Sequence, residues 1–357
     1  MDRPLRITFV LPHAGFHGGI RVCAIYAQAL QQRGHHVEVV SLPPERPSVR
    51  MRVRALVRGQ ALEDQRGGHF DNLPITHRVL ERVRPVTDRD VPEADVVIAT
   101  WWETAEWVAR LSPAKGQKVY FIQHDERGFY NQPRERVAAT WRLPLYRITI
   151  APWLVELGRA EFGIEQITLV PNGVDPELFF APPRTKRPTP TVGMMTSSAA
   201  FKGTDVALAA FALAARDVKG LELVAFGQDD LELPVGARFV KRPAQSQIRE
   251  LYSACDAWLF ASRSEGFGLP ILEAMACRTP VIGTPAGAAP ALIGEGGGML
   301  VQPEDPQDMA RAIRTIVGLS AAEWTGLSDR AYATAQRNTW GLSIDRFEAA
   351  LREAASR

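Results

Sequence analysis

The sequence predicts two doubly wound α/β domains in tandem, each a parallel sheet covered by helices on both faces. Three observations carry this. Short runs rich in Val and Ile, several of them continuously apolar, alternate with segments of helical period. The alternation stops once, at the proline-rich basic stretch Ala181–Pro190, "APPRTKRPTP", and then resumes. The length, 357 residues, is that of about two domains.

In the first half, Leu5–Leu11, Val37–Leu42, Ala94–Thr100, Lys118–His124, Arg147–Ala151 and Ile167–Val170 read as strands. Between the first two, Ile20, Cys23, Ala24, Ala27 and Leu30 recur at helical spacing over Ile20–Arg33. Gly34 is placed to end that helix in a left-handed turn. Strand, helix and strand in this order begin a parallel sheet. In the second half, strands are expected at Thr191–Met195, Leu221–Phe226, Arg238–Lys241, Ala257–Ala261, Pro280–Gly283 and Met299–Val301. Helices are expected at Asp205–Arg216, Gln245–Cys255, Pro270–Ala276 and Asp305–Val317. Ile344–Ala354 is helical and could dock on either domain. The expected domains are residues 1–180 and 191–340, joined by a linker at 181–190 and followed by a C-terminal helical segment, 341–357, that could pack back on the first domain.

Apolar residues at 46% and charged residues at 23% suit an ordinary globular chain. A net charge of +2 does not point to nucleic acid. Cys23, Cys255 and Cys277 stand far apart without CxxC spacing, as buried thiols of a reducing compartment would. The N-terminal apolar run reads as a first strand and not as a signal peptide, and no run reaches membrane-spanning length, so the expected location is cytoplasmic. Arg46–Arg58, "RPSVRMRVRALVR", carries five arginines and no acid; it suits a solvated loop, or peripheral contact with an anionic membrane face.

Ligands of open α/β sheets bind at the carboxyl ends of the strands. The chemistry-bearing residues cluster there: Gly18 and Gly19; Trp101, Trp102 and Glu103; His124; Thr196, Ser197 and Ser198 with Lys202; and "SRSEGFGLPILEAMA" at Ser262–Ala276. In the last stretch Pro270 marks a helix start. The amides of Gly266, Phe267, Gly268 and Leu269 then suit an anion at the helix N-terminus. Glu265 and Glu273 would repel a phosphate, so they are expected to accept hydroxyl protons elsewhere on the same ligand. A nucleotide sugar has that form: Glu265 toward the sugar, Glu273 toward the ribose, Lys202 and the amides on the diphosphate. Each feature alone has a plainer explanation as a glycine turn, a surface glutamate or a solvated lysine. Their convergence on one edge favours the ligand. Gly18-Gly19 does not complete GxGxxG. Asp88-Arg89-Asp90 has metal-binding spacing but precedes its strand, at the opposite end of the sheet, and reads as a solvated turn. No metal or other cofactor is therefore expected.

With these motifs the chain resembles a GT-B fold retaining glycosyltransferase of the family 4 group. "SRSEGFGLPILEAMACRTPVI" matches the group's Glu-x7-Glu segment, giving Glu265 and Glu273; "FKGTDVALAAF" matches its lysine-glycine stretch at Lys202. "PNGVD" at Pro171–Asp175, "IRELYSACDAWLFAS" at Ile248–Ser262, the Gly18-Gly19 loop and His124 also match. "YFIQHDERGFY" and "IAPWL" are similar to rhamnosyltransferases using a deoxythymidine-diphosphate sugar. The resemblance implies Rossmann-like domains facing a central cleft, a nucleotide-sugar donor, a glycan, lipid-linked or small-molecule acceptor, no nucleic acid, and metal-independent front-face transfer with retention. Lys202, Glu265 and His124 would be catalytic. Base contacts are expected from the turn ending at Arg242, and acceptor contacts from Trp101, Trp102 and Glu103, with at least one of the tryptophans in the core.

Three departures are visible, the plainest being Ala291 in place of a common glutamate. Many members carry an arginine shortly before the lysine; here Thr196, Ser197 or Ser198 would have to donate instead. Arg278 stands where glycine is usual, and a left-handed conformation there would cost on the order of 1 kcal/mol. A non-hydrolysing sugar-nucleotide epimerase and a non-catalytic sugar-nucleotide-binding protein are the alternatives.

Overall fold

A computed structural model of the chain describes residues 3–44, 67–129, 131–229 and 232–357. The basic stretch Arg46–Arg58 lies outside them. The described residues divide into two compact units. The first comprises Met1–Thr149, Leu154–Val170 and Ile344–Arg357; the second comprises Ile150–Trp153 and Pro171–Ser343.

The first unit carries β1 (Arg6–Leu11), α1 (Gly18–Gln32), β2 (His36–Ser41), β3 (Thr76–Val79), β4 (Val96–Ala99), α2 (Trp102–Ala109), β5 (Gln117–Ile122), α3 (Arg134–Thr140), β6 (Tyr146–Thr149), the start of whose neighbour α4 (Pro152–Phe162) belongs to the other unit, and β7 (Thr168–Leu169). All strand pairs are parallel, in the order β3-β2-β1-β4-β5-β6-β7. The second unit carries β8 (Thr191–Thr196), α5 (Thr204–Asp217), β9 (Glu222–Gly227), β10 (Arg238–Lys241), α6 (Gln245–Ser253), β11 (Ala257–Phe260), α7 (Leu269–Ala276), β12 (Val281–Gly283), α8 (Ala289–Leu292), β13 (Gly298–Leu300), α9 (Pro306–Gly318) and α10 (Ala321–Arg337). Its parallel order is β10-β9-β8-β11-β12-β13.

In both sheets the order of strand addition reverses beside the first strand, between β1 and β4 and between β8 and β11. Neighbouring loops diverge at such a point and leave room for a ligand. The central strands are buried on both faces: Phe9, Val10, Val96, Ile98, Val119 and Phe121 are fully enclosed, as are Val192 and Ala257 in the other sheet. Among the described residues, no helix is long and apolar enough to cross a membrane. Cys23, Cys255 and Cys277 are free and buried, and burial pushes each thiol up to about 12.

The final helix α11 (Trp340–Ala355) crosses from the second unit to the first at Ile344. Phe347 is fully buried, stacked on Tyr26 at 4.1 Å and edge-on to Phe121 at 5.1 Å. Glu348 anchors the same turn. Burial alone would raise its pKa, but bonds from Arg33, Arg352 and His35 outweigh that and hold it down at about 2. A depressed carboxylate stabilises the fold above its unfolded pKa, and that stabilisation is lost as pH falls through the folded value. Glu348→Gln should therefore lower stability at pH 7 by up to about 3 kcal/mol. The deficit should close between about pH 5 and pH 2; denaturant melts at both ends of that window check it.

The stretch at 181–190, read as a linker, belongs to the second unit and is bonded into it. Arg184 donates to Thr279 Oγ1 at 2.9 Å, Lys186 to the carbonyls of Val317 and Leu319 at 2.7 Å each, and the Arg187 N–H to buried Asp256 at 2.7 Å. Proline and basic composition suggest a free tether, but here two cations bond carbonyls and a hydroxyl of the neighbouring core, and a backbone N–H bonds its buried carboxylate.

Candidate functional site

Lys202 ends a short 3-10 turn, Ala200–Lys202, that follows β8. Gly203 comes next in the left-handed region, φ 63°, and begins α5. A Cβ on Gly203 would lie 2.0 Å from the Ala261 carbonyl oxygen, so the turn presses on the end of β11 as only glycine allows. This brings the Lys202 ammonium within 2.7 Å of Glu265 Oε1, which also accepts from Ser262 Oγ at 2.9 Å. Both side chains are mostly enclosed, 22% and 13% exposed. The sequence sends lysine and glutamate to different parts of a ligand; the structure pairs them. A cavity of about 20 Å³, room for one water, adjoins Lys202, Ser262 and Pro270.

Gly268 is left-handed, φ 95°, and α7 starts directly after it with Pro270 in its first turn. Phe267 is buried and offers the site only its backbone. Its carbonyl accepts from Ala288 N at 2.8 Å, while the Gly266 carbonyl accepts from Trp153 Nε1 at 2.9 Å. Gly287 lies beneath this loop at φ 62°; a Cβ there would come within 2.9 Å of Glu265 Cβ. Two glycines therefore let the loop carrying Glu265 fold tightly over the end of β12. Glu273 follows one turn into α7, only 9% exposed, and accepts from Tyr252 OH at 2.9 Å. Its carboxylate is oriented by an aromatic cluster in which Tyr252 meets Trp258 at 4.4 Å and Phe226 at 5.9 Å.

The hydroxyls offered in place of the usual arginine fare differently. Thr196 is 2% exposed and donates to the Phe226 carbonyl at 3.3 Å, so its hydroxyl serves the sheet and not a ligand. Ser197 Oγ is half-buried and accepts from Ala199 N at 3.2 Å. Ser198 is exposed, and its N–H donates to Asp229 at 2.9 Å. Arg242 is exposed just beyond β10, in the left-handed region at φ 48°, its N–H held by the Gly227 carbonyl at 2.8 Å. Arg278 is left-handed, φ 57°. Its guanidinium pairs with Asp329, donates to the Ala181 carbonyl and covers Tyr332 at 4.2 Å, which offsets the strain.

In the first unit, Gly18 and Gly19 form the first turn of α1 instead of a free loop. The Gly19 carbonyl accepts from Gln123 Nε2 at 3.2 Å. Gln123, directly after β5 and one residue before His124, stands among the polar residues at that strand end but was given no role by the sequence. His124 is half-buried, its Nδ1 3.0 Å from the Asp125 carbonyl and its ring 4.7 Å from Phe129. Phe129 in turn stacks on half-buried Trp101 at 5.6 Å.

Of the two tryptophans, Trp102 is the one in the core, as expected of at least one of the pair, and its place among the acceptor contacts is corrected. It begins α2 with 4% exposure, its indole N–H donating to Gln132 at 2.9 Å and the Arg136 guanidinium over its ring at 4.9 Å. It is a core residue and offers no stacking face. Glu103 lies half-buried in the same helical turn. The Trp102 N–H donates to Glu126 Oε2 at 2.7 Å, and burial pushes the Glu126 carboxyl well above the usual carboxylate range. The Asp88–Asp90 turn is also not simply solvated. Asp90 is buried and bidentate with Arg84 at 2.7 and 2.8 Å, which holds its pKa well down despite burial. Asp88 accepts from Ser112 N at 2.9 Å.

Comparison with known proteins agrees with this architecture. Residues 16–178 match the family described as Glycosyltransferase Family 4, and residues 189–318 match Glycosyl transferases group 1. A D-inositol 3-phosphate glycosyltransferase of Stackebrandtia nassauensis is 30% identical over 233 residues, 57% of this chain and 52% of that protein. One from Kineococcus radiotolerans is 34% identical over 124 residues, 32% and 28% of the two chains. The chain thus spans about half the length of these curated relatives, or less. Among solved structures, sucrose-phosphate synthase from Thermosynechococcus elongatus has a TM-score of 0.70 at 19% identity, covering 98% of both chains. Anabaena HepE, solved with UDP, has a TM-score of 0.71 at 18% identity, covering 98% of this chain and all of that one. With two parallel doubly wound units, and glycosyltransferase families matched across both, the chain belongs to the GT-B glycosyltransferases of the family 4 type.

Proposed function

We propose that the chain transfers a sugar, with retention, from a nucleoside diphosphate sugar to a hydroxyl of a glycan, lipid-linked or small polyol acceptor. One observation carries this reading: Lys202 and Glu265 meet at 2.7 Å on the carboxyl edge of the second sheet, beside the glycine-rich start of α7. HepE, of the same fold, has been solved with UDP and with UDP-glucose. The curated relatives are named for a polyol phosphate, which supports a polyol hydroxyl as acceptor.

In this reading the donor enters the second unit. Its diphosphate takes the Lys202 ammonium from Glu265, and the amides of Gly266 to Leu269 complete the anion site. Glu265, released, accepts a hydroxyl of the sugar. Glu273, with one oxygen on Tyr252, accepts from the ribose. Charge-assisted bonds of this kind contribute roughly 1.5–3 kcal/mol each. As the glycosidic bond breaks, negative charge grows on the leaving diphosphate and the sugar gains oxocarbenium character. Lys202 and the amides stabilise the first change. The acceptor hydroxyl enters on the same face and passes its proton to a phosphate oxygen. His124 serves the transferred sugar, and Trp101 the acceptor. No metal is required, because one ammonium and the helix amides offset the diphosphate charge.

Calorimetry of the whole chain with UDP, GDP and deoxythymidine diphosphate, in chelator, tests the donor site. At least one nucleotide should bind, and Glu273→Ala should weaken it by about 10- to 100-fold. Unchanged affinity in that variant would remove the ribose role; binding only with added metal would remove the metal-free reading.

A further inference from the structure

Arg263, two residues before Glu265, is bonded to three separate segments. Its N–H donates to the Phe201 carbonyl at 2.7 Å, and its guanidinium donates to the Ala200 carbonyl. Nη1 and Nη2 also reach Asp205 in the first turn of α5, at 3.0 and 2.8 Å. Nε and Nη2 reach Glu304, just before α9, at 2.5 and 3.0 Å. Backbone and side chain of one residue therefore grip the two residues preceding Lys202. The other guanidinium contacts hold that fork in one plane.

We infer that Arg263 is the positioning residue for Lys202: it sets where the lysine-bearing turn stands relative to the glutamate loop. This rests on the donor reading of the second unit given above. Arg263 cannot itself supply the second cation the diphosphate lacks, because two carboxylates already neutralise it. It acts through Lys202. A lysine side chain is a point charge on a long flexible stem, so its accuracy depends on its backbone being held. The 3-10 turn is only three residues long and makes few bonds of its own. Single exposed ion pairs contribute little, but a rigid guanidinium bridging a turn carbonyl and two carboxylates fixes geometry. Lysine at 263 would keep the charge and lose the fork. Glu304 occupies a left-handed conformation, φ 58°, while reaching Arg263, a further sign that the arrangement is held from several sides.

The test is a double-mutant cycle on the full chain, read by calorimetry with the tightest of UDP, GDP and deoxythymidine diphosphate and with its monophosphate. Arg263→Met and Arg263→Lys should each weaken the diphosphate about tenfold or more. Affinity for the monophosphate should stay within about twofold, because the lost contact lies beyond the first phosphate. In a Lys202→Ala background, Arg263→Met should add nothing further. Equal loss for mono- and diphosphate, or full additivity with Lys202→Ala, marks a role in stability alone and overturns the inference. Wild-type affinity in Arg263→Met overturns it too, while leaving the donor reading standing. A wild-type chain that binds none of the nucleotides overturns the donor reading, and this inference with it.

Discussion

Replacing Lys202 with alanine is expected to lower turnover by at least about two orders of magnitude. The ammonium is paired with Glu265 on the loop that leads into α7. In the proposed reaction it faces a leaving group whose negative charge grows in the transition state, so its loss falls mainly on kcat. A second effect has the same sign. Without Lys202, the Glu265 carboxylate keeps only the Ser262 hydroxyl among the described residues, and a carboxylate that has lost its cation then faces the incoming diphosphate. Affinity for nucleoside diphosphate should fall as well. Adding Glu265→Gln to Lys202→Ala should restore part of that affinity and none of the turnover. Steady-state kinetics with the active donor, alongside thermal melts showing a folded chain, make the measurement. Turnover near wild type in Lys202→Ala would refute the assignment of the catalytic cation.

The second large effect is expected from Gly203→Ala. Two separate costs meet there. A left-handed backbone is unfavourable for alanine by about 1–2 kcal/mol. The new methyl would stand 2.0 Å from the Ala261 carbonyl oxygen, a backbone atom that cannot rotate away. Relieving such a clash typically costs about 1–3 kcal/mol more. The melting temperature should fall by roughly 5–15 °C. The turn must also move away from β11 and carry Lys202 with it; a displacement of about 1 Å can cost on the order of a hundredfold in rate. Gly220 provides the control. It is left-handed too, φ 74°, but nothing lies within 4 Å of the place its Cβ would take. Gly220→Ala should show the backbone cost alone, with turnover unchanged. If the two variants melt and turn over alike, the packing argument at Gly203 fails.

The strands were legible where burial on both faces makes them continuously apolar. The read strands differ from the observed ones at most at their ends; Arg238–Lys241, a partly buried edge strand, was read with its observed bounds because Phe239 and Val240 still mark it. Thr76–Val79 was missed because it is an edge strand, largely exposed and polar, and so carries no hydrophobic run. The helix Trp102–Ala109 was missed because it begins directly after a strand. Its entry is held by the Thr104 hydroxyl, which accepts from the Thr100 and Trp101 N–H groups, and by Glu126, distant in sequence. Helix α10 did announce itself: Ser320 and Glu323 form a reciprocal capping box, a signal that went unread. Around Lys202, the glycine that follows it was visible in the sequence, but its reason was not. That reason is the Ala261 carbonyl, 58 positions later and brought close only by the pairing of β8 with β11.

By itself the sequence determined the class of fold and the sheet edges that carry polar and glycine-rich groups, and it singled out Lys202, Glu265 and Glu273 as candidates, because these depend on local periodicity and spacing. Only the tertiary structure decided that Lys202 and Glu265 are partners, that Arg263 ties their segments together, and that Trp102 and the Thr196 hydroxyl are taken by the core. Those outcomes turn on distances between residues far apart in the chain. Hydrogen bonds and close packing act over a few ångströms, and which groups come within that range is settled by how strands and helices assemble.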